Sequence, residues 1–485
     1  MNHRRLVGID LGIASAHTVR VLDGEGKTVA KRKAWPSVES LAEVETAALA
    51  GCPAGTRLEV VVEPTGPAWL PIAVFFARRG HVVHRVSSAK AADLRRFFSR
   101  HTKTNGIDAD TLARLPLVDP DGLRALVLPS AEQAALDRRV RAADRLTRAA
   151  AQHKVRIKDL ARQLMPMSPL VGDLGAADLA VLERWADPRQ LVKVGHRRLT
   201  TVIAKASNNH QGPDRATEWL AAARASLDLY GDDPAVAFSD RAAEVATEVR
   251  LLRATQRELA AHAAERERCY RWVDPGALAR TLPGLAEVGA PAVAAVMGDP
   301  TRFRHGKQFR SYTGLVPKAS ETGDSDRKGQ AMSKAGSSLL RTTFIRAADH
   351  ARKQDPQLAR IYWVQMAERG KDHLGALCVV AANLAERTWA VMDRRMPYVI
   401  CDTDGTPLTP AEAKAVIAAQ WTVPADVRAR RRSKKGKAPQ RVLAGQSKPR
   451  ARGAGERGDL PRPASSTATR QAVNSTNRSS KRRIA

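Results

Sequence analysis

The sequence predicts an α/β domain at the N-terminus, a long helical middle, a mainly helical C-terminal region and a disordered basic tail. Three observations support this fold class. Short apolar runs alternate with amphipathic segments near the N-terminus, as in an α/β domain. From Ser130 onward, apolar residues recur at three- and four-residue spacing over long stretches, which is typical of helices. Beyond Pro424 the chain is rich in Arg, Lys, Gly, Pro and Ser, a composition that predicts disorder.

Composition indicates the class of partner. The 485 residues carry a formal net charge of +30, which predicts a polyanionic partner. No apolar run approaches the ~18–20 residues that span a bilayer, and the N-terminus lacks an apolar signal region. We therefore expect a soluble cytoplasmic protein, associated with the nucleoid and with no membrane partner. The four cysteines are scattered without metal-type spacing and are expected to be reduced thiols: Cys52, Cys269, Cys378 and Cys401.

The N-terminal domain is organised around the stretch RLVGIDLG, residues 5–12. Leu6–Ile9 has the apolar character of a buried strand, and the strand ends on the carboxylate of Asp10. Two alternating segments joined by a Gly-containing turn predict a hairpin, and alternating helices and strands follow it. These predicted elements are strands at His17–Leu22 and Lys27–Ala34, a helix at Ser37–Leu49 capped by Ser37, a strand at Arg57–Val62, a helix at Ala68–Arg79, a strand at His81–Val86 and a helix at Ser88–Phe98.

Three carboxylates stand at comparable places in this domain. Asp10 and Glu63 each follow a predicted strand, and Asp108 lies near the start of a helix that runs through Leu112 and Leu115. This is the layout of an RNase H-like nuclease. Hard divalent cations need several oxygen ligands brought together from separate elements. In a two-metal site one ion activates the attacking oxygen of a phosphodiester reaction and the other stabilises the leaving oxygen.

A competing interpretation comes from the motif Gly8-Ile9-Asp10-Leu11-Gly12 followed by a hairpin. Sugar kinases and actin-like ATPases also begin in this way. Those folds need a second Gly-rich phosphate loop after another strand-end Asp, and the sequence contains none. The metal-site interpretation is therefore favoured.

The middle of the chain predicts two long amphipathic helices. One begins at Ser130 and ends before Pro166, and the other covers roughly Asp240–Tyr270. The stretch between them, 170–235, is interrupted by Gly and Pro and gives no clear pattern. The two long helices predict an antiparallel arm or an oligomerisation seam, and ordinary packing in a bundle is an equal alternative.

The C-terminal region carries two patterns that suit nucleic acid. Thr281–Pro291 has the glycine spacing of a helix-hairpin-helix turn, which presents backbone N–H groups to phosphates, although a structural helix-loop-helix fits as well. A basic run with interleaved aromatics follows; it predicts a nucleic-acid surface, and the alternative is a solvated charged face. This run contains Arg302, Arg304, Lys307 and Arg310 with Phe303, Phe309 and Tyr312. Helices are predicted at Ser337–Arg352, Leu358–Glu368 and Leu374–Met392.

Several short motifs occur in a fixed order over residues 1 to about 400. They are Gly8-Ile9-Asp10, Glu63-Pro64-Thr65-Gly66, Lys103-Thr104-Asn105-Gly106-Ile107-Asp108-Ala109, Leu282-Pro283-Gly284-Leu285, Phe309-Arg310-Ser311-Tyr312-Thr313-Gly314-Leu315-Val316-Pro317, Arg327-Lys328-Gly329-Gln330 and Ser333-Lys334-Ala335-Gly336. With this ordered set the chain resembles the DEDD transposases of the insertion-sequence-110 group. The resemblance implies a RuvC-like catalytic domain at 1–128, a helical or coiled-coil spacer at 129–275, a C-terminal transposase domain at 276–400 and a basic tail at 424–485.

The resemblance places the four acidic positions of the family on Asp10, Glu63, residue 105 and Asp108. Residue 105 is Asn in this chain. An Asn carbonyl can still bind a hard cation, but it brings no charge, so metal affinity should be lower. Asp110 is an alternative fourth ligand, although a residue two positions along a helix points away from Asp108.

The resemblance also implies a nucleophilic serine in a Ser-Gly motif of the C-terminal domain. An ungapped match places Thr322 at that position. A primary hydroxyl is less hindered than a secondary one, so Ser320 is favoured over Thr322, and Ser325 is a third candidate. The hydroxyl would need a base to remove its proton. The alternative is that these hydroxyls cap a turn or bind phosphate. Further basic residues expected to contact nucleic acid are Arg327, Lys328 and Lys334.

The resemblance implies an enzyme that cuts and rejoins DNA strands to move its own mobile element, with Mg²⁺ or Mn²⁺ as cofactor. It also implies a structured guide RNA encoded by the element and a homodimer or homotetramer. The basic tail should add affinity that weakens with salt and carries no base specificity. Two alternatives stay open: a RuvC-like structure-specific nuclease that uses only metal and water, and a non-catalytic nucleic-acid-binding remnant that decayed at Asn105.

Overall fold

The computed structural model describes residues 4–98, 104–231, 234–318, 321–322, 325–326 and 330–431, the two short pairs for their backbone only. The N-terminal elements agree with the predicted order of strands and helices. In chain order they are β1 Arg5–Asp10, β2 His17–Asp23, β3 Thr28–Ala34, α1 Val38–Leu49, β4 Leu58–Val62, α2 Trp69–Arg78, β5 Val82–Arg85, α3 Ser88–Phe98 and α4 Asn105–Val118.

The five strands form one mixed sheet in the order β3-β2-β1-β4-β5. Strands β1, β2 and β3 pair antiparallel, which confirms the predicted hairpin, whereas β1, β4 and β5 pair parallel. The apolar side chains of β1 and β4, two of the three interior strands, are buried on both faces, as expected for strands covered by helices. In the β1–β4 register Ile9 lies beside Val62, so Asp10 and Glu63 follow at the same edge of the sheet.

Helix α4 lies directly against β1 because Gly8 has no side chain. A Cβ atom at Gly8 would lie 2.0 Å from the carbonyl oxygen of Ala109 and 2.4 Å from the amide nitrogen of Ala113. Both of these atoms belong to the backbone of α4, so neither can rotate away. The close approach places the first turn of α4, which carries Asp108, beside the end of β1.

The helical middle contains an antiparallel pair of long helices with three shorter helices between them. Arg139 faces Glu265 and His153 faces Glu248, so the two long helices run in opposite directions. The shorter helices share a separate apolar core with one end of the pair, which shows bundle packing together with the predicted antiparallel pairing. A role in oligomerisation stays a prediction. The elements are α5 Ala131–Leu164, α6 Ala176–Trp185, α7 Pro188–Ala206, α8 Pro213–Tyr230 and α9 Phe238–Val273.

The C-terminal region is mainly helical, as predicted, and its core extends to the other ends of α5 and α9, including Leu136 and Tyr270. Both long helices lie within the bounds predicted for the spacer, 129–275, and each contributes to two cores. The elements are α10 Leu278–Thr281, α11 Gly289–Met297, α12 Gly306–Thr313, β6 Glu321–Thr322, β7 Ser325–Asp326, α13 Ser338–Ala351, α14 Pro356–Trp363 with a π-helical turn Val364–Glu368, α15 His373–Arg394, α16 Pro410–Gln420 and α17 Ala425–Arg430.

The glycine-spaced loop between α10 and α11 packs inward. Gly284 has a positive φ of 78°, and a Cβ there would lie 2.3 Å from the carbonyl oxygen of Ala347 in α13. The residues of α11 from Ala290 to Met297 are all buried. The glycine is thus required for helix packing, which favours the structural helix-loop-helix over phosphate presentation.

The prediction of disorder from residue 424 is wrong for the first residues of that segment. Helix α17 carries Val427, which packs against the C-terminal core, and the His373 amide donates a hydrogen bond to the Arg431 carbonyl at 3.3 Å. An ion pair between Asp426 and Arg430 lies within the helix. One apolar contact and local pairing therefore order this turn despite its basic composition. The rest of the predicted tail, 432–485, lies outside the described residues.

Helix α15 is long and apolar enough to cross a membrane by length and composition. Half of its apolar window is buried within the C-terminal core, where Leu377, Val380 and Leu384 pack. Core packing accounts for the apolar character of this helix.

Candidate catalytic site

The structure brings four predicted positions to one cavity. Asp10, Glu63, Asn105 and Asp108 line a polar cavity of about 410 Å³ at the edge of the sheet. The first two side chains come from the ends of the parallel strands β1 and β4, and the other two come from the first turn of α4. Residues far apart in the sequence therefore meet here because parallel strands end at the same edge and Gly8 admits the helix.

The start of α4 is fixed by capping. The Thr104 hydroxyl accepts a hydrogen bond from the Ile107 amide at 3.2 Å, and the Thr104 carbonyl accepts from the Asp108 amide at 3.0 Å. Asp108 stands in the first turn, where the helix dipole stabilises a negative charge. Asn105 lies three residues before Asp108, so the two side chains share one face of the helix.

Arg95 of α3 also lines the cavity and pairs with Asp108. The distance between Arg95 Nη1 and Asp108 Oδ1 is 3.2 Å, and both side chains are largely buried. A cation is thus already held beside one of the carboxylates. Within the described part of the chain, no three acidic, histidine or cysteine side chains converge closely enough to share one ion. The carboxylates line one cavity without forming a complete coordination shell by themselves.

Asp110, the alternative fourth ligand, does not line the cavity. Its carboxylate accepts a hydrogen bond from Arg114 Nε at 2.7 Å, one turn further along α4. This position agrees with the prediction that Asp110 points away from Asp108. Asn105 is the residue that faces the cavity.

Sequence reasoning missed Arg95 as part of this cavity. The signal that could have found it is weak, because Arg95 is one of two adjacent arginines in a helix that also carries Lys90. Its pairing with Asp108 depends on how α3 packs against α4, and no local pattern predicts that contact.

The candidate nucleophiles belong to the segment that joins α12 to α13. Its base is a backbone ladder in which the Lys318 amide donates to the Ala331 carbonyl and the Ser333 amide donates to the Val316 carbonyl. Farther out, Thr322 pairs with Ser325 in the short β6–β7 hairpin. Ser320 lies outside the described residues, as do the basic residues Arg327 and Lys328 and the motif residue Lys103.

The basic run after residue 300 is only partly a free surface. Arg310 pairs with Glu386 at 2.7 Å, and the Arg302 guanidinium lies 5.0 Å from the centre of the Tyr312 ring. Arg304, Lys307 and Lys334 are exposed, and none of the ion pairs among described residues involves them. These three are the better candidates for phosphate contacts.

Two of the three aromatic residues interleaved in that run, Phe303 and Phe309, are not available to stack on bases. Phe303 is 6 % exposed and Phe309 is fully buried, and both belong to the C-terminal core. The rings of Phe303 and Phe309 pack edge to face with their centroids 5.1 Å apart. Phe303 and Phe309 therefore belong to the core and not to the predicted nucleic-acid surface, whereas Tyr312 is only partly buried.

Comparison with known proteins supports the sequence resemblance. Residues 276–363 match the model described as the transposase family IS116/IS110/IS902. Residues 7–166 match the model of the IS110-type DEDD transposases, described as a transposase. The second match contains all four cavity positions, and the two matches together cover just over half of the chain.

Individual relatives agree with these family matches. The chain is 26% identical over 411 residues to an uncharacterized 43.6 kDa protein of insertion element IS110 from Streptomyces coelicolor, which covers 81% of this chain and 96% of that protein. It is 36% identical to a "Probable family 20 transposase" of Pseudomonas aeruginosa over 24% of this chain and 35% of the relative. It is 25% identical to a pilin gene-inverting protein of Moraxella lacunata over 25% of this chain and 38% of the relative.

The match thus spans little more than a third of two of these relatives and nearly the full length of the third. Both family models, one matching the N-terminal part of the chain and the other the C-terminal part, describe the same group of proteins. The chain belongs to the IS110 family of transposases.

Proposed function

We propose that this protein cuts and rejoins DNA strands to move an insertion element. In this proposal residues 1–128 are a RuvC-like catalytic domain, 129–275 a spacer and 276–400 the transposase domain. The observation that carries the proposal is the cavity in which Asp10, Glu63, Asn105 and Asp108 meet. The sheet order, with carboxylates at the ends of the neighbouring parallel strands β1 and β4, supports the RuvC-like assignment.

Asp10, Glu63 and Asp108 would hold Mg²⁺ or Mn²⁺, with the Asn105 carbonyl as a fourth oxygen. The donor set fits, because hard cations prefer carboxylate and carbonyl oxygens, and Mg²⁺ typically takes one or two carboxylates together with substrate phosphates. The Arg95 guanidinium pairs with Asp108 and places one positive charge beside that carboxylate. When bound, the ion would polarise the scissile phosphate and stabilise the leaving oxygen.

The protein side chains have separate tasks around that phosphate. Strands β1 and β4 hold two carboxylates on rigid elements, and the capped first turn of α4 holds the third. Arg95 is close enough to Asp108 to exchange that partner for a phosphate oxygen when DNA enters, since guanidinium groups bind both kinds of oxyanion. Arg304, Lys307 and Lys334 supply exposed positive charge for the flanking backbone.

The attacking group in this proposal is a hydroxyl of the segment that joins α12 to α13. Ser320 is the preferred nucleophile, with Thr322 and Ser325 as alternatives. The serine oxygen forms a bond to phosphorus, the bond from phosphorus to the leaving deoxyribose oxygen breaks, and the serine proton passes to a nearby base. The reverse reaction with a new DNA hydroxyl rejoins the strand.

The partners follow from the same proposal. The net charge of +30 suits binding to DNA and to a structured RNA encoded by the element, and assembly as a homodimer or homotetramer would bring two DNA ends together. One relative carries the name of a gene-inverting protein, which agrees with rearrangement of DNA as the outcome. A DNA-acting protein of this kind would work in the cytoplasm at the nucleoid.

A strand-cleavage assay tests the proposal. The full chain is incubated with the ends of the element, its flanking transcript and Mg²⁺, and the products are denatured and examined for DNA attached to protein. Adducts that disappear in Ser320→Ala and persist in Thr322→Ala would support the serine mechanism. Cleavage without any adduct would instead indicate a nuclease that uses metal and water, and tight binding without cleavage would indicate a non-catalytic remnant.

Asn105→Asp should increase both metal affinity and the cleavage rate. The substitution adds a fourth carboxylate to the cavity and places a negative charge in the first turn of α4, where the helix dipole favours it. We expect roughly a 10-fold lower half-saturating Mg²⁺ concentration, within the range by which supporting residues tune metal sites. Titration of cleavage with Mg²⁺ measures this change. Asn105→Ala is the matched variant. If both substitutions changed the half-saturating Mg²⁺ concentration equally, Asn105 would not be a metal ligand.

A further inference from the structure

A second cavity lies next to the carboxylate cavity and is chemically different from it. It has a volume of about 220 Å³ and shares Gly12 with the carboxylate cavity. Its walls are mainly apolar and include the ring of Trp35. The other apolar wall residues are Ile13, Pro36, Pro67, Ala68 and Pro71. None of these side chains has a role in the chemistry proposed above.

The polar side chains that line this cavity are those of Ser15 and His17. The imidazole is 1 % exposed and lines the cavity. Its Nδ1 accepts a hydrogen bond from the Gly12 amide at 3.1 Å, so the ring proton of the neutral imidazole is on Nε2. Burial lowers the pKa of His17, which keeps the ring neutral at pH 7. The Nε2 atom is buried and has no hydrogen-bond partner among the described residues.

Buried donors without a partner are rare in native proteins, because leaving one unpaired is unfavourable. An acceptor brought by a ligand would satisfy Nε2. The cavity therefore combines mainly apolar walls with the Ser15 hydroxyl and the buried N–H group of His17. A planar heterocycle with an acceptor on its edge has matching chemistry.

The strand that precedes Trp35 in the chain is positively charged. Strand β3 is the edge strand of the sheet, and its Lys31 and Arg32 side chains are exposed. The strand ends at Ala34, and the next residue is Trp35, whose side chain is 56 % exposed. Proteins usually bind an unpaired nucleic-acid strand with basic side chains for the backbone and exposed aromatic rings for the bases.

We propose that the cavity holds one nucleobase of the DNA strand whose scissile phosphate lies among the carboxylates. This inference rests on the proposed function, because it takes the carboxylate cavity as the place of the phosphate. The base stacks against Trp35, and His17 Nε2 donates to a ring nitrogen or carbonyl oxygen on its edge. Every nucleobase carries such an acceptor, so the cavity positions the strand without selecting a sequence.

A base held in this way is removed from the duplex stack. Extrusion costs unpairing and unstacking free energy, which is smallest where the strand is already unpaired. The cavity should therefore favour DNA ends whose bases near the cleavage site are mismatched or displaced. Gly12 connects the two cavities, so the extruded base belongs to a nucleotide at or directly beside the scissile phosphate.

The test is a scan with abasic sites. A series of DNA ends, each lacking one base near the cleavage position, is bound to the full chain, and affinity is measured by fluorescence anisotropy. One position should lower the affinity of the wild-type protein roughly 5- to 100-fold, the usual effect of losing one base–aromatic stack. Trp35→Ala should weaken binding to intact DNA by a similar factor and remove the effect of the abasic site. Trp35→Phe should restore most of that effect.

Trp272→Ala is the matched control, because Trp272 is also an exposed tryptophan, at 71 %, but lies near the end of α9. It should behave like the wild type throughout the scan. The base-binding cavity would be overturned if the loss of affinity from an abasic site added independently to the loss from Trp35→Ala. It would also be overturned if no abasic site lowered the affinity of any of these proteins while cleavage and DNA binding stayed intact. If only abasic sites placed in the RNA transcript lowered affinity, and none in the DNA did, the proposal of a DNA base in this cavity would also be overturned. Absence of all DNA binding would contradict the proposed function itself.

Discussion

Replacing Gly8 by alanine should destabilise the N-terminal domain and strongly reduce DNA cleavage. The new Cβ would lie 2.0 Å from the Ala109 carbonyl oxygen, so α4 has to move away from β1. Overpacking of this kind typically costs about 1–3 kcal/mol of folding free energy. Because Asp108 moves with the helix, we expect cleavage to fall by ~10²-fold or more, the loss associated with a displacement of about 1 Å at a reacting centre.

Urea unfolding and the strand-cleavage assay measure the two effects of Gly8→Ala. Gly175→Ala is the control, since Gly175 has an ordinary extended backbone and the nearest atom to its Cβ would be 3.9 Å away. Wild-type cleavage by Gly8→Ala would show that the contact between α4 and β1 does not position the site.

Asp108→Asn should lower cleavage by at least about 100-fold, since even residues that only support metal ligands contribute 10–100-fold. The substitution removes one of the three carboxylates of the cavity and leaves Arg95 without its charged partner. Binding to DNA should persist, because the exposed basic residues that contact phosphate are unchanged.

Asp110→Asn is the matched variant on the same helix. It removes the surface ion pair with Arg114, which contributes about 0.3–0.5 kcal/mol at most. Cleavage by this variant should equal that of the wild type. If Asp110→Asn abolished cleavage and Asp108→Asn did not, the assignment of these two residues would be reversed.

The sequence predicted the secondary structure of the N-terminal domain well because local patterns decide it. Alternating apolar residues define β2 and β3, apolar runs define β1 and β4, and Ser37 caps α1 by accepting from the Ser40 amide at 3.2 Å. The meeting of Asp10 with Glu63 was also predictable, because parallel strands end at one edge. The glycine at position 8 then determines how closely α4 approaches them.

Other features depend on packing that the sequence does not display. Arg95 is one charged residue in a basic helix until α3 is placed beside α4. Phe303 and Phe309 suit either a stacking surface or a core, and only the fold around α12 decides between them. His17 begins a strand, and only the folded structure shows that Gly12 pairs with its Nδ1 while Nε2 has no partner among the described residues.

The helical middle was unclear for a similar reason. A glycine with a positive φ of 76°, Gly195, lies inside α7 and interrupts its pattern. The buried ion pair between Asp178 and Arg215, with Trp219 donating to the same carboxylate, joins helices about 40 residues apart in sequence. Contacts of this kind stabilise the bundle without any local signature.

The most direct test of the metal site is the binding of Mn²⁺ to the full chain, measured by electron paramagnetic resonance. We expect saturable binding by the wild type and by Asp110→Asn, and a large loss of affinity in Asp108→Asn. Equal Mn²⁺ binding by all three proteins would contradict the claim that the cavity between β1, β4 and α4 is a catalytic metal site.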